Sequence, residues 1–406
     1  MSEWIAVKLT DAPLEILDGD RGKNYPSQDE FLDDGYCLFL STKNVRQIGF
    51  DFSECQFISQ ERDELLRKGR LQRNDVVLTT RGTIGNLGFY NRKVNYDRIR
   101  INSGMVIIRP DEKKLIPAFN YYTFRKLQSD FLTFTSGSAQ PQLPIRDLKE
   151  IEINLPSVEE QKSIASVLSS LDDKIDLLHR QNTTLERMAE TLFRQWFVEE
   201  AQDSNIGQFI DLQNGYAFKS QDFKDIGEHR VLKIKNISGG IIDVNNTDFI
   251  ETSIAYKTDT KFKVVTGDIL FAMTGAEIGK LGIVPKTNTP LWLNQRVGLL
   301  KEKFKGARFL AYLQLNSEIG QDYIENSATG SAQPNISGSL IEQCPFPKVD
   351  STKIKECSEI LDVYYQKLIS NLGQIQTLEK LRDNLLPKLM SGEVRVSLNG
   401  EYHDAI

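Results

Sequence analysis

The chain has 406 residues, 40% of them hydrophobic and 26% charged, with a formal net charge of −6, which gives room for about two to four ordinary globular domains. It lacks an apolar run of the roughly 20 residues a membrane span needs and a basic-then-apolar leader. Its four cysteines form no CxxC pair and its three histidines are widely spaced, so the expectation is a cytoplasmic protein with reduced, mostly buried thiols, no bound metal and no membrane partner.

The acid excess, which taken whole argues against a nucleic-acid partner, is not uniform. It lies in residues 157–203, with 5 basic and 10 acidic side chains, and in residues 348–406, with 8 and 9. Residues 62–109 carry eleven basic side chains against four acidic ones.

In chain order, a short apolar run before residue 41 leads into Lys43, Asn44 and Arg46. Residues 76–80 (VVLTT) read as a strand that ends at Thr80, followed by the turn Arg81-Gly82-Thr83. Arg98, Arg100, Asn102 and Ser103 form a polar cluster before a second strand at residues 104–109. Phe119 and Tyr122 have helical spacing. The loop SGSAQPQL follows at residues 136–143, and an apolar-periodic stretch opens after Pro156-Ser157, with Glu159 and Glu160 in its first turn.

The second half repeats the first. TGSAQPNI at residues 329–336 echoes SGSAQPQL after an offset of 193. The pattern x-I-G-x-L-G occurs at residues 83–88 and 277–282, and Asn74-Asp75 matches Gly267-Asp268. Lys235-Asn236 matches Lys43-Asn44, and Asn294, Gln295 and Arg296 echo the cluster at Asn102 and Ser103. Thr274 and Lys280 fall in the second copy of the Arg81 turn. A period this long marks two copies of a module rather than a solenoid.

Each copy ends in a long helical pattern. Leu168, Leu171, Ile175, Leu178, Asn182 and Leu185 alternate in steps of 4 and 3, as do Leu361, Tyr364, Leu368, Asn371, Ile375 and Leu378. This is a coiled-coil seam, interrupted by Asn182, Asn371 and Arg382. Pro387 is expected to end or kink the second helix. Spacing alone leaves parallel and antiparallel packing open; the duplication favours antiparallel. The predicted fold class is α+β: two mixed α/β domains separated by two long spacer helices, with pseudo-twofold internal symmetry. The expected boundaries are 1–155 for the first domain, 156–200 for the first spacer, 201–347 for the second domain and 348–406 for the second spacer and C-terminal segment.

Two similar heads on a spacer suit a long regular polymer, and duplex DNA repeats its major-groove face about every 34 Å. Lysine and arginine contact phosphate, and asparagine and glutamine suit adenine edges. The candidate DNA-binding residues are Lys43, Asn44, Arg46, Thr80, Arg81, Thr83, Arg98, Arg100, Asn102 and Ser103 in the first copy. In the second they are Tyr216, Lys219, Lys235, Asn236, Thr274, Lys280, Asn294, Gln295 and Arg296. Ser138, Gln140, Ser331 and Gln333 are read as shaping their loop rather than touching DNA.

LPSVEEQKSIASVLSSLDDKI (residues 155–175), LFRQWF (192–197) and LPKLMSGEV (386–394) together resemble the specificity subunit of type I restriction-modification enzymes. The likeness covers essentially the whole chain, except that the second copy writes FPKVDSTK (346–353) where the first writes LPSVEEQK. The resemblance implies a non-catalytic subunit with two target-recognition domains and antiparallel spacer helices. It implies reading of a bipartite, asymmetric double-stranded DNA site, one half per domain. It further implies two modification (methyltransferase) subunits that use S-adenosylmethionine to methylate adenine, and restriction (motor-nuclease) subunits that use ATP and Mg2+. No cofactor is expected on this chain itself.

Other classes fit less well. A methyltransferase would carry an Asn/Asp-Pro-Pro-aromatic motif, and the chain has no Pro-Pro pair. Asp111, Asp147 and Lys149 loosely imitate a nuclease pattern that the second copy does not repeat. No GxxxxGK[ST] is present for ATP. A purely structural tether leaves the basic excess of residues 62–109 unexplained.

Overall fold

The computed structural model describes residues 4–135, 141–197, 201–330, 334–396 and 402–404. Two compact units emerge: residues 1–173 with 379–406, and residues 174–378. Ser138, Gln140, Ser331 and Gln333 lie outside the described residues.

The first unit has two small sheets. In one, Leu14–Asp18, Met105–Pro110, Val76–Thr79 and Leu87–Phe89 lie side by side, with every pairing antiparallel. In the other, Cys37–Leu40 pairs parallel with Ile99–Ile101 and antiparallel with Phe57–Ile58. Cys37–Leu40 and Val76–Thr79 are buried on both faces, which is why they read as continuous apolar runs rather than alternating ones. The helix Pro117–Lys126 covers the first sheet through Phe119, Tyr122 and Phe124. Ile5–Lys8 pairs with Glu152–Leu155, tying the start of the module to the segment before the long helix.

The second unit repeats the plan with longer edges. Ile210–Asn214, Val297–Glu302, Ile269–Ala272 and Leu281–Ile283 correspond to the first sheet. His229–Leu232 pairs parallel with Leu291–Leu293, as in the second sheet. The helix Ala307–Asn316 replaces Pro117–Lys126, and Ser204–Asn205 closes on Pro345–Phe346. The matched pairs Asn74-Asp75 and Gly267-Asp268 have one structural meaning. Asn74 (φ +75°) and Gly267 (φ +81°) take the left-handed conformation that asparagine and glycine tolerate best. The following carboxylate then accepts a backbone N–H, from Gln72 at 2.7 Å or Val265 at 2.8 Å. An arginine holds it in each case: Arg109 on Asp75, Arg308 on Asp268.

The long helices are Val158–Phe197 and Ser351–Ser391. In the first unit, Ile164 and Leu168 from the start of one share a core with Leu386, Leu389 and Met390 from the end of the other. In the second unit, Ala189, Phe193 and Phe197 share a core with Cys357, Leu361 and Tyr365. The packing within each unit is therefore antiparallel. Leu168, Ile175, Leu178, Leu361, Leu368 and Ile375 are buried, while Leu171, Leu185, Tyr364 and Leu378 are half-buried. The buried stripe is wider than the seam, because Phe193, Phe197, Tyr365 and Leu372 also face the body of the domain.

The polar seam residues are paired. Asn371 Nδ2 donates to Asn182 Oδ1 at 2.8 Å, and Arg382 donates to Asp172 at 2.9 Å. The second helix does not end at Pro387 but continues to Ser391. Proline in a helix interior costs about 3 kcal/mol. Burial of Leu386, Leu389 and Met390, each contributing about 1.5–3 kcal/mol, outweighs that.

The four cysteines are free, and three are buried. Burial pushes the Cys37 and Cys344 thiols up to about 12. Among the described residues no helix is long and apolar enough to cross a membrane, and no cluster of three or more side chains is suited to a metal ion.

Candidate nucleic-acid interface

In the first unit, four chain segments meet where strands end. Strand Cys37–Leu40 runs into the single turn Thr42–Asn44. Its parallel neighbour Ile99–Ile101 runs into Asn102-Ser103, whose Asn102 N–H donates to Leu40 O at 3.0 Å. Val76–Thr79 runs into Thr80-Arg81-Gly82, whose Thr80 and Arg81 N–H groups both donate to Gly104 O, at 2.8 and 3.2 Å. Gln142, just after the GSAQP letters, bridges Arg81, and Leu143 N–H donates to Thr80 O at 2.9 Å.

The second unit builds the same junction. Asn294 N–H donates to Leu232 O at 3.1 Å, Met273 N–H to Arg296 O at 3.2 Å and Ile336 N–H to Met273 O at 3.0 Å. Asn335 bridges Thr274 as Gln142 bridges Arg81.

The junction is packed backbone against backbone. A Cβ on Gly19 would stand 2.4 Å from Asn102 O, and one on Gly215 would stand 2.0 Å from Asn294 O. Only glycine admits that approach.

Several candidates from the sequence are committed inward, and these readings are corrected. Asn44 Oδ1 accepts from Ser41 N at 3.0 Å, while its Nδ2 donates to Asp51 O and Glu54 O at 3.1 and 2.7 Å. Asn236 repeats the arrangement with Lys233 N, Asp243 O and Asn246 O. Both amides are buried clamps that fold a long loop back onto its turn, not readers of adenine. Arg100 is 4% exposed and pairs with Asp63, with further bonds to Lys68 O and Leu66 O. Thr80 is buried and its hydroxyl donates to Gly104 O.

Others stand apart from the junction or are paired. Arg98 stacks over Tyr36 at 4.4 Å, at the opposite end of its strand from Asn102. Arg46 grips Asp51 with two bonds, at 2.8 and 2.6 Å. Ser53 and Arg46 together hold the Asp51 carboxyl down at about 2. Lys280 pairs with Glu277. Lys235 shares Asp248 with Lys233, and both lysines help keep that carboxyl below its ordinary range against the opposing effect of burial. Thr83 is exposed beyond the turn.

What remains at the junction is polar and at least partly exposed. Lys43, Arg81 and Arg296 have no carboxylate partner among the described residues, and Gln295 is exposed beside Arg296. Asn102 is half-buried, its Oδ1 accepting from Gly104 N at 2.9 Å. Asn294, Ser103 and Thr274 are half-buried beside it or its counterpart. Tyr216 bridges Asn294 and stays 39% exposed, braced edge-on by Phe218 and Phe262 at 4.8 and 5.3 Å. Lys219 is exposed on the same loop.

Residue types alone did not point to Gln142, Asn335 or Arg21. Arg21 donates to Ser103 O at 3.3 Å and pairs with Asp18. The one available signal was the repeat, in which an amide follows GSAQP both times. Paired exposed cations, amides and one aromatic on tightly packed turns can contact phosphate and base edges.

A family model for the type I restriction modification DNA specificity domain matches residues 1–187 and again 198–380. The MjaVIII type I restriction enzyme specificity subunit of Methanocaldococcus jannaschii is 26% identical over 422 residues, covering 97% of this chain and 93% of that one. The HindI type I restriction enzyme specificity subunit of Haemophilus influenzae is 22% identical, covering 97% of this chain and all of its own length. The crystal structure of a type I restriction-modification S subunit from M. genitalium shares the fold, with a TM-score of 0.59 at 17% identity over 95% of this chain and 96% of that one.

Proposed function

Because the chain belongs to the type I restriction-modification DNA specificity family, and is a DNA specificity subunit that assembles with the other subunits of such a system, we propose that the loop junction of each compact unit is its DNA-reading surface. The observation that carries this is the recurrence, in both units, of the same four-segment junction with exposed cations and amides. The division of labour is one half-site per unit, which makes the target bipartite and asymmetric, since the two junctions differ in sequence.

Lys43, Arg81 and Arg296 are assigned to phosphates, with Arg21 and Lys219 beside them. Asn102, Gln142, Asn294, Gln295 and Asn335 are assigned to base edges, and Tyr216 to stacking or apolar contact in the second half-site. Two modification subunits complete the methyltransferase and supply S-adenosylmethionine chemistry on adenine. Motor-nuclease subunits supply ATP- and Mg2+-dependent cleavage, and the whole acts in the cytoplasm.

Binding of the assembled complex to its site, measured against salt concentration, tests the phosphate assignments. Arg81→Ala and Arg296→Ala are each expected to weaken binding at all sequences and to reduce the salt slope by about 1. An unchanged slope in both variants contradicts the proposed surface.

A further inference from the structure

The repeat lets matched places in the two units be compared side chain by side chain. Gly85, in the x-I-G-x-L-G turn, is covered by Phe131: a Cβ added there would stand 3.5 Å from the ring. Its counterpart Gly279 is covered by Ile324, with a Cβ at 3.3 Å. Phe131 and Ile324 are both buried and stand 193 positions apart, the offset of the GSAQP letters. The residues that follow them therefore occupy equivalent places.

In the first unit those residues are apolar and face solvent. Within the turn Phe131–Phe134, Leu132 is 64% exposed and Phe134 is 40% exposed. Ile48, 49% exposed, lies on the loop after the Lys43 turn and bridges Leu87. Gln128 stitches these segments together, its Nε2 donating to Gln47 O at 2.6 Å and to Gly85 O at 2.8 Å. The apolar side chains thus flank the turn that carries Arg81. Lys43 and Arg81 beside them are exposed. Segment 127–135 holds one carboxylate, Asp130, which accepts from Ser129 Oγ at 3.1 Å.

The second unit lacks this patch. Leu132 corresponds to Glu325, Phe134 to Ser327 and Ile48 to Gly240.

We propose that Ile48, Leu132 and Phe134 contact the first unit's half of the DNA site, packing on thymine C5-methyl groups. The inference rests on the DNA-reading surface proposed above and adds an apolar component to it. The thymine methyl is the apolar group that base edges present in the major groove. The occupant is DNA rather than a modification subunit for a reason of symmetry. A partner that docks once on each unit needs the same surface twice, whereas the halves of an asymmetric site differ. A patch carried by one copy alone suits what differs, and the cations at its edge suit phosphate.

The test uses the full chain assembled with its modification subunit, and a duplex carrying the motif that this complex methylates. Thymines are replaced by deoxyuridine, which removes the methyl group, in one half of the motif or in the other. Wild type is expected to bind about fourfold more weakly for each contacted methyl lost. The double variant Leu132→Glu/Phe134→Ser installs the second copy's residues. It is expected to lose its response to deoxyuridine in one half and to keep the wild-type response in the other. Melting of the free chain and association with the modification subunit are expected to match wild type, since the replaced side chains are exposed. Leu132→Ala, a milder change at the most exposed of the three positions, is expected to reduce the same response and keeps the test valid for a double variant that melts low.

Deoxyuridine responses that are the same in wild type and both variants, in both halves, overturn the proposal. A folded variant that loses the modification subunit overturns it too, because the patch would then be a protein contact. Arg81→Ala separates the two claims. Weakened DNA binding in that variant, with unchanged deoxyuridine responses in the apolar ones, leaves the junction standing and removes the patch; wild-type binding by Arg81→Ala counts against the reading on which the patch rests.

Discussion

Asn44 and Asn236 show how residue type can mislead at the smallest scale. A Lys-Asn pair on a turn reads the same whether the amide faces outward or back, and the difference lies in loop carbonyls seven and ten residues away. Arg100 was misread for the same reason: its partners are backbone carbonyls and Asp63, more than thirty positions away. Replacing Asn44 with alanine strands Asp51 O and Glu54 O, so urea unfolding should show a loss of about 1–3 kcal/mol. The half-site read by that unit should not change in any molecules that remain folded. Arg46 and Asp51 give a pH test at this scale. The Asp51 carboxyl, lowered from 3.8 to about 2 first by Ser53 and then by Arg46, contributes stability above its unfolded value that is lost as pH falls through about 2. Ser53→Ala should move the Asp51 titration, followed by carboxylate NMR shifts, up toward 3.8; an unmoved titration would remove Ser53 from the account.

Elements were the most legible level. The 4-and-3 alternation gave both long helices, because a stripe that repeats without a break over residues 168–185 and again over 361–378 leaves no strand alternative. The strands beside the junction were visible as apolar runs, but their order was not, since segments of two to six residues carry no register information. The polar seam positions carry the prediction at this scale. Asn371 and Asn182 hydrogen-bond in a buried setting, and Asn371 Oδ1 has no partner of its own. Asn371→Leu alone leaves the Asn182 amide unmatched and should cost about 1–3 kcal/mol. With Asn182→Leu added, much of that loss should return, because two apolar side chains of similar shape satisfy each other. A double-mutant cycle in chemical denaturation reads the coupling. Strictly additive losses would mean the two amides do not act as a pair. The helix running through Pro387 makes the complementary point, since a local breaker lost to burial that no local rule could weigh.

At the scale of the whole molecule, the duplication was legible because the loop letters GSAQP and the turn x-I-G-x-L-G survived in both copies. Those letters lead directly into Gln142 and Asn335, the residues that complete each junction. The difference between the copies carries as much information as their likeness. Across the repeat Arg81 corresponds to Thr274 and Ser103 to Gln295. On the proposed reading, two junctions with different side chains give an asymmetric target. The most direct test is single-molecule sequencing of DNA from a methylation-deficient host that expresses this chain with its modification subunit. The account predicts adenine methylation at one motif with two different halves and a fixed gap; methylation at a single uninterrupted motif would contradict it.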